Sequence, residues 1–177
     1  MRFIVFDTET PNCRNDSICS MGISVVENGV VVDSRYDLVD PEARFDSFNV
    51  RLHGISSEMV RGKQTFPQLW EQIEPLFDSG VLVAHNAPFD MGVLAKCFRR
   101  YGLSREGDDY ACTVRLGRVC LPQAPNHKLN TLCDMLNIPL EHHNAASDSQ
   151  ACAQLLCYYL RQGVPVERYV RHWSYSI

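Results

Sequence analysis

Two carboxylates stand at the end of the first apolar run of the chain. Residues 3–6 are apolar and lead directly into Asp7, Thr8 and Glu9. This pattern predicts a buried β-strand, on which Asp7 and Glu9 point to the same face about 6.5 to 7 Å apart. Two like charges on one face repel each other unless a cation lies between them, and a buried unpaired carboxylate is costly. The pair is a candidate metal site, and the alternative is a strand end that runs into solvent.

Three further residues can join this chemistry if the fold brings them together. Asp90 lies in the first turn of a predicted helix that follows a short apolar strand. His143 and Asp148 stand at the start of the last long predicted helix. Their five-residue gap would put them about 140° apart on one helix, so His143 is placed in the preceding loop, folded back over the helix start. The alternative is that Asp90 has no role in a metal site and only interacts favourably with the positive end of the helix dipole.

The elements that must position these residues begin with an antiparallel meander. Residues 18–27 and 30–39 are strand-forming runs joined at Asn28 and Gly29, which is a strong signal for a tight hairpin. Together with the first strand they predict three neighbouring antiparallel strands. Residues 40–51 no longer show a strand-forming pattern and are predicted as a loop. A short helical turn is predicted to begin at Ser56.

Helices dominate the rest of the chain. Thr65 and Gln68 give the signal of a capping box, and an apolar stripe then continues to Phe77. Asn86 is the predicted cap of the next helix. Further helices are predicted over residues 88–101, 114–120, 129–136 and 145–161, further strands over 81–84 and 110–113, and a charged loop over 105–109. This order predicts an α/β sandwich with a mixed central sheet flanked by helices.

Length and composition indicate one globular domain. The 177 residues are 45% hydrophobic and 21% charged, close to the averages for globular proteins. The core is expected over residues 3–163, with a short tail over 164–177 that could pack on the domain or form part of a partner surface. The chain contains no apolar run near 18 residues and no N-terminal leader, so a cytoplasmic protein without a membrane partner is expected.

Charge and cysteine usage narrow the class of protein. The formal net charge of −4 argues against binding nucleic acid through a broad basic surface. It is compatible with an enzyme whose acidic site is compensated by divalent ions. The eight cysteines form no Cys-x-x-Cys pair, and most fall at apolar positions. They are expected to be core residues in a reducing compartment rather than zinc ligands.

Three motifs now stand in order along the chain. They are Asp7-Thr8-Glu9 on the first strand, Asn86-x-x-Phe89-Asp90 at a strand-to-helix junction, and His143-x-Ala145-x-x-Asp148 at the start of the late helix. In this order and at these separations they resemble the DEDDh 3′→5′ exonucleases of the ribonuclease H-like fold, the group that includes the proofreading epsilon subunit of bacterial DNA polymerase III. The likeness extends over residues 3–160 and departs at Cys112, where many relatives have aspartate, and at Ser149, where alanine is usual.

The resemblance implies a ribonuclease H-like three-layer sandwich and a metal-dependent phosphodiester hydrolase. Asp7, Glu9 and Asp148 would hold one Mg²⁺ or Mn²⁺ ion, with Asp7 bridging to a second ion. Asp90 would act largely through metal-bound water, and His143 would take a proton from the attacking water. Magnesium and manganese prefer such oxygen ligands, and histidine has a pKa suited to this proton transfer. Two ions can stabilise both the attacking and the leaving oxygen.

The resemblance also suggests which residues contact the substrate. The predicted contacts are Thr8, Thr10, His85, Asn86, Phe89 and Lys128. Thr8 and Thr10 would lie near the terminal sugar, and Phe89 could stack on a base, which is tolerant of sequence. A core position for Phe89 and a solvated position for Lys128 are the alternatives.

The predicted reaction releases nucleoside 5′-monophosphates from DNA 3′ ends, with single-stranded DNA favoured. An exoribonuclease of the oligoribonuclease or ribonuclease T kind is an alternative. It would use the same catalytic residues and would differ in the protein contacts to the 2′-hydroxyl of the substrate. A non-catalytic nucleic-acid-binding or polymerase-associated module is a third hypothesis, but it predicts the loss of a metal acid or of the histidine, and all five are present. The chain ends soon after the domain, so a free-standing enzyme is favoured over a polymerase partner.

Overall fold

A mixed β-sheet forms the middle layer of the protein. The structure is a computed structural model that describes residues 1–175. Its strands are β1 (Arg2–Glu9), β2 (Ser20–Glu27), β3 (Val30–Leu38), β4 (Val81–Ala84), β5 (Gly107–Cys112) and β6 (Arg171–Ser174). The sheet has the order β3-β2-β1-β4-β5-β6. β1 pairs antiparallel with β2 and parallel with β4, which confirms the predicted mixed sheet.

Helices cover both faces of this sheet. They are α1 (Ser47–His53), α2 (Ser57–Val60), α3 (Phe66–Phe77), α4 (Pro88–Tyr101), α5 (Thr113–Cys120), α6 (Leu129–Leu136) and α7 (Ala145–Arg161), followed by a 3-10 turn at Val166–Tyr169. Ile4 and Phe6 pack with α3 and α4 on one face. Phe3 and Val5 pack with α5, α6 and α7 on the other. β1 is therefore buried on both faces, and the three-layer α/β sandwich is confirmed.

Local signals explain the elements that were predicted. Asn28 and Gly29 both have positive φ, as a tight hairpin turn requires, and β2 pairs antiparallel with β3. Thr65 and Gln68 form the predicted capping box of α3. None of the helices within residues 1–175 is long and apolar enough to cross a membrane. All eight cysteines are free thiols and six of them are buried, in agreement with their predicted core positions.

The predicted loop over residues 40–51 is wrong in part, because α1 begins at Ser47. This helix has seven residues, buries none of them, and its N-cap Asp46 makes no side-chain cap hydrogen bond. It therefore lacks the buried apolar stripe by which a helix is recognised in a sequence. Asn86 is also not the cap of α4: its φ of 62° is left-handed, and Ala87 occupies the cap position.

The charged loop predicted over residues 105–109 is wrong from Gly107 onward, where β5 begins. Asp108 is buried in this strand because Arg105 donates to both of its carboxylate oxygens, at 2.7 and 2.5 Å. The tail packs on the domain. β6 pairs antiparallel with β5, and the buried Tyr175 lies edge-on to Phe98 with ring centroids 4.9 Å apart. Residues 176 and 177 lie outside the described part of the chain.

A close approach of α7 to β2 decides where the late motif lies. Gly22 is the strand partner of Asp7. A Cβ atom at Gly22 would lie 1.9 Å from the carbonyl oxygen of Ala145, the first residue of α7. Only a glycine lets the start of α7 come this close, and that approach brings Asp148 beside Asp7.

We predict that Gly22→Ala destabilises the fold by about 1–3 kcal/mol, because the added methyl group must displace α7 from β2. The free energy of unfolding in urea measures the effect. Gly92→Ala is the matched control: Gly92 lies inside α4, a Cβ there meets nothing within 4 Å, and the change should be neutral or stabilising. Equal stability of Gly22→Ala and wild type would contradict the packing described here.

Candidate active site

All eleven residues predicted as site residues line one cleft. Its volume is about 860 Å³, and it opens where β1 and β4 end. The predicted residues found in it are Asp7, Thr8, Glu9, Thr10, His85, Asn86, Phe89, Asp90, Lys128, His143 and Asp148. The fold thus brings together three motifs that are up to about 140 residues apart in the sequence.

Four carboxylates meet at the floor of the cleft. Asp7, Glu9 and Asp148 each present an oxygen, and these three oxygens lie within 4.8 Å of one another. Asp90 projects from the first turn of α4. Its Oδ1 accepts hydrogen bonds from the amide and the hydroxyl of Thr8, at 3.2 and 2.9 Å. Thr8 was predicted to contact substrate, and the contact observed here is the one that orients Asp90.

The electrostatics of this group favour protons or metal ions. Burial, followed by the neighbouring carboxylates, raises the pKa of Glu9 to about 8. Burial raises the pKa of Asp90 to about 7 against the opposing effect of its Thr8 hydrogen bonds. The pKa of Asp7 is raised well above its ordinary value, by burial and then by Asp90, Asp148 and Glu9 in that order. Asp7 is therefore the carboxylate that feels all three others.

The donor set fits hard divalent cations. Within residues 1–175, no lysine or arginine forms an ion pair with any of the four carboxylates. Buried like charges without such a partner are unfavourable unless they are protonated or bind a cation. Mg²⁺ and Mn²⁺ take carboxylate oxygens as ligands. The residues present therefore suit the ions that the sequence suggested.

His143 lies in the loop before α7, where it was predicted. Its φ of 67° is left-handed, and its amide donates to Asp148 Oδ2 at 2.9 Å. Asn144 caps α7 by accepting from the amides of Ala146 and Ser147. Burial, and then the neighbouring His142, lowers the pKa of His143. The imidazole is thus held at the edge of the carboxylate group in a form that can accept a proton.

A clamp on the backbone of Thr10 was not among the predicted site features. The Thr10 carbonyl accepts from Asn49 Nδ2 at 2.9 Å and faces His53 Nε2 at 3.1 Å. The amide of Ile55 donates to His53 Nδ1 at 3.0 Å, which leaves the ring proton on Nε2 to donate to Thr10. α1 therefore fixes the end of β1 beside Glu9. The sequence analysis assigned no role to Asn49 or His53.

His85 is tied to the protein at both ring nitrogens. Nε2 lies 3.0 Å from the His127 carbonyl and must donate to it, so Nδ1 accepts from the Thr113 hydroxyl at 2.9 Å. Burial lowers the pKa of His85 to about 4, so the ring is neutral near pH 7. His85 joins the end of β4 to the start of α5 and to the segment that carries Lys128. Its observed contacts are structural, and its predicted substrate contact stays a prediction.

Apolar and cationic side chains form the walls of the cleft. Phe89 is 45% exposed, which excludes the core position considered for it, and Phe48 and Leu52 expose apolar surface from α1. Lys128 lines the cleft together with Arg118, a residue that the sequence analysis missed. Within residues 1–175, neither cation forms an ion pair. Arg118 belongs to none of the three motifs. It lines this wall because of its position on α5, which the sequence alone did not reveal.

Comparison with known proteins decides the family. A profile of the exonuclease family matches residues 4–156. The chain belongs to the exonuclease family. It is 35% identical over 157 residues to the PolC-type DNA polymerase III of Halalkalibacterium halodurans, in an alignment that covers 87% of this chain and 11% of that protein. The PolC-type polymerase of Listeria innocua is 33% identical over 156 residues, with coverage of 86% and 11%. The chain thus spans about a tenth of the length of these curated relatives.

Solved structures share the fold of this exonuclease domain. Exonuclease X in complex with 5′ overhanging duplex DNA superposes with a TM-score of 0.76 at 24% identity, covering 94% of this chain and 96% of that one. The nuclease domain of 3′hExo, a DEDDh family member bound to rAMP, gives a TM-score of 0.77 at 16% identity, covering 98% and 95%. The resemblance to DEDDh exonucleases and the ribonuclease H-like fold are confirmed.

The raised carboxyl pKa values predict how stability depends on pH. Between about pH 6.5 and about pH 8, above the range in which the histidines of the unfolded chain titrate, the folded metal-free protein holds carboxyl protons that the unfolded chain has released. Its stability therefore falls as pH rises through this window. Mg²⁺ binds the deprotonated carboxylates, so the stabilisation by Mg²⁺ should grow over the same window.

Thermal unfolding at several pH values, with EDTA or with Mg²⁺, checks both trends. Glu9→Gln should flatten the pH dependence and weaken the effect of Mg²⁺, because it removes one titrating ligand. Glu71→Gln, which changes an exposed glutamate of α3, is the matched control. A wild-type protein whose metal-free stability rises between about pH 6.5 and about pH 8 would contradict the burial of these carboxylates.

Proposed function

We propose that the chain is a two-metal-ion 3′→5′ exonuclease that releases nucleoside 5′-monophosphates from DNA 3′ ends. One observation carries the proposal: four carboxylates from β1, α4 and α7 and a histidine from the loop before α7 converge in a cleft, and no lysine or arginine among the described residues pairs with these carboxylates. The convergence argues against a non-catalytic binding module, because such a module needs no complete set of metal acids.

The carboxylates hold the ions in this proposal. Asp7, Glu9 and Asp148 would hold one Mg²⁺ or Mn²⁺ ion, and Asp7 together with Asp90 would hold a second. The effect of all three other acids on the pKa of Asp7 supports its place in both ligand sets. When bound, the two ions neutralise the negative charge that develops on the phosphate and on the attacking and leaving oxygens. Thr8 holds Asp90 in place by its two hydrogen bonds.

His143 accepts the proton of the attacking water in this proposal. Its lowered pKa keeps the imidazole neutral, so a lone pair is available near pH 7. The hydrogen bond from its amide to Asp148 ties its position to that of a metal ligand. The loop therefore fixes the position of the proposed base relative to Asp148.

The walls of the cleft suit a nucleic acid end. Phe48, Leu52 and Phe89 offer apolar surface to the terminal bases, and Arg118 and Lys128 offer charge to phosphates. DNA is proposed as the substrate because the PolC-type relatives are named as DNA polymerases and the Exonuclease X structure is named as a DNA complex. Action beside a polymerase is a second candidate that the PolC similarity favours. The eight free cysteines support a reducing, cytoplasmic location.

Incubation of 5′-labelled single-stranded DNA, duplex DNA and RNA with Mg²⁺ or Mn²⁺ tests the substrate. We expect stepwise shortening of DNA from its 3′ end that EDTA and Asp148→Asn abolish. Asp134→Asn, at an exposed acid of α6, is the control and should keep wild-type activity. Faster shortening of RNA would replace the DNA assignment with the exoribonuclease alternative. A preference for mismatched over paired 3′ ends would favour work beside a polymerase, and no metal-dependent shortening would refute the enzyme.

The role of His143 is tested separately. We predict that His143→Ala lowers kcat by about 10² to 10⁴, because a positioned general base contributes that factor, while Mn²⁺ binding to the protein persists. His172→Ala, at an exposed histidine of β6, is the matched control. Unchanged turnover in His143→Ala would move the general base elsewhere, with the neighbouring His142 as the next candidate.

A further inference from the structure

A second histidine stands beside the catalytic one and has no part in the proposed reaction. The rings of His142 and His143 stack with centroids 4.0 Å apart and planes 22° apart. His142 Nδ1 lies 3.4 Å from Asp148 Oδ1. The side chain of His142 is 42% exposed, so this imidazole can be reached from solvent.

These three residues are close enough together to form a metal site of their own. One ligand atom from each of His142, His143 and Asp148 lies within 4.8 Å of the other two. Zinc binds histidine nitrogens and carboxylate oxygens at about 2.0 to 2.2 Å, and three protein ligands leave its fourth position open. Because the two rings are stacked, they must rotate away from each other before both lone pairs point to one ion, and the exposed side chain of His142 leaves room for this rotation.

The ligand chemistry separates this group from the carboxylate site. Asp7, Glu9 and Asp148 offer only oxygen, which suits Mg²⁺ and Mn²⁺. The group of His142, His143 and Asp148 offers two nitrogens, which favour Zn²⁺ over Mg²⁺. Asp148 belongs to both groups and its carboxylate is 5% exposed, so the two sites share one buried ligand.

We propose that His142, His143 and Asp148 form an inhibitory zinc site, here called the histidine site. A zinc ion there occupies the imidazole lone pair with which His143 would accept a proton. It also draws Asp148 away from the carboxylate site, so zinc and magnesium compete. The zinc binding is independent of the proposed exonuclease function, whereas the inhibition rests on it.

X-ray absorption at the zinc K-edge tests the binding. The full chain, freed of metal with EDTA, is loaded with one equivalent of ZnCl₂. We expect two imidazole ligands in the wild type, one in His142→Asn and two in His172→Asn. His172 is the matched control, since it is an exposed histidine paired with a single carboxylate, Asp109, at 2.9 Å. Zinc with no imidazole or only one in the wild type would overturn the histidine site.

Inhibition is measured as the ratio of DNA shortening rates with and without ZnCl₂ at fixed Mg²⁺. Because each variant is compared with itself, a change in its rate without zinc does not affect this ratio. The zinc concentration that halves the rate should rise by about tenfold or more in His142→Asn, because loss of even an outer-shell partner commonly weakens metal binding 10- to 100-fold. It should be unchanged in His172→Asn and should rise with Mg²⁺. Equal inhibition of His142→Asn and wild type would overturn the proposal.

The exonuclease function and the histidine site can be refuted independently of each other. Two imidazole ligands on zinc in a protein that never shortens DNA or RNA would refute the exonuclease function and leave the histidine site standing. Metal-dependent shortening in a protein whose zinc has only oxygen ligands would refute the histidine site alone.

Discussion

Repulsion among four carboxylates, of which Glu9, Asp90 and Asp148 are buried and Asp7 is partly buried, is the constraint on which the rest of the structure depends. Asp7 lies where the charges of Glu9, Asp90 and Asp148 all raise its pKa, and none of the four has a lysine or arginine partner within residues 1–175. A fold that was selected only for stability would not gather these groups. The arrangement makes sense for a protein that gains part of its stability, and its chemistry, from bound cations.

The surrounding fold supplies the rigidity that this arrangement needs. β1 is packed on both faces, so the backbone that carries Asp7 and Glu9 has little freedom. The clamp on the Thr10 carbonyl fixes the end of the strand, and Gly22 lets α7 approach β2 closely. The four acids come from three elements: Asp7 and Glu9 from β1, Asp90 from α4 and Asp148 from α7. Hydrogen bonds then set the details, from Thr8 to Asp90 and from the His143 amide to Asp148.

Much of this could be predicted from the sequence, and the exceptions have physical reasons. The first strand, the hairpin at Asn28 and α3 were predicted because apolar periodicity and turn or cap residues agree there. α1 was missed because it buries no side chain, and the start of β5 because Asp108 is charged and only Arg105, which packs over Trp70, makes its burial possible. The motifs identified the acids, whereas the structural ties of Thr8 and His85 depend on contacts between distant residues, which no local pattern encodes.

If the carboxylates serve to hold divalent ions, the number of Mn²⁺ ions bound per chain is the property to measure. Electron paramagnetic resonance of free Mn²⁺, titrated into the metal-free full chain with dAMP present, gives this number. We expect two ions in the wild type, with at least one lost in Glu9→Gln and none lost in Glu71→Gln. Wild-type protein that binds no Mn²⁺, or that binds as many ions after Asp7→Asn, would contradict this role of the carboxylates.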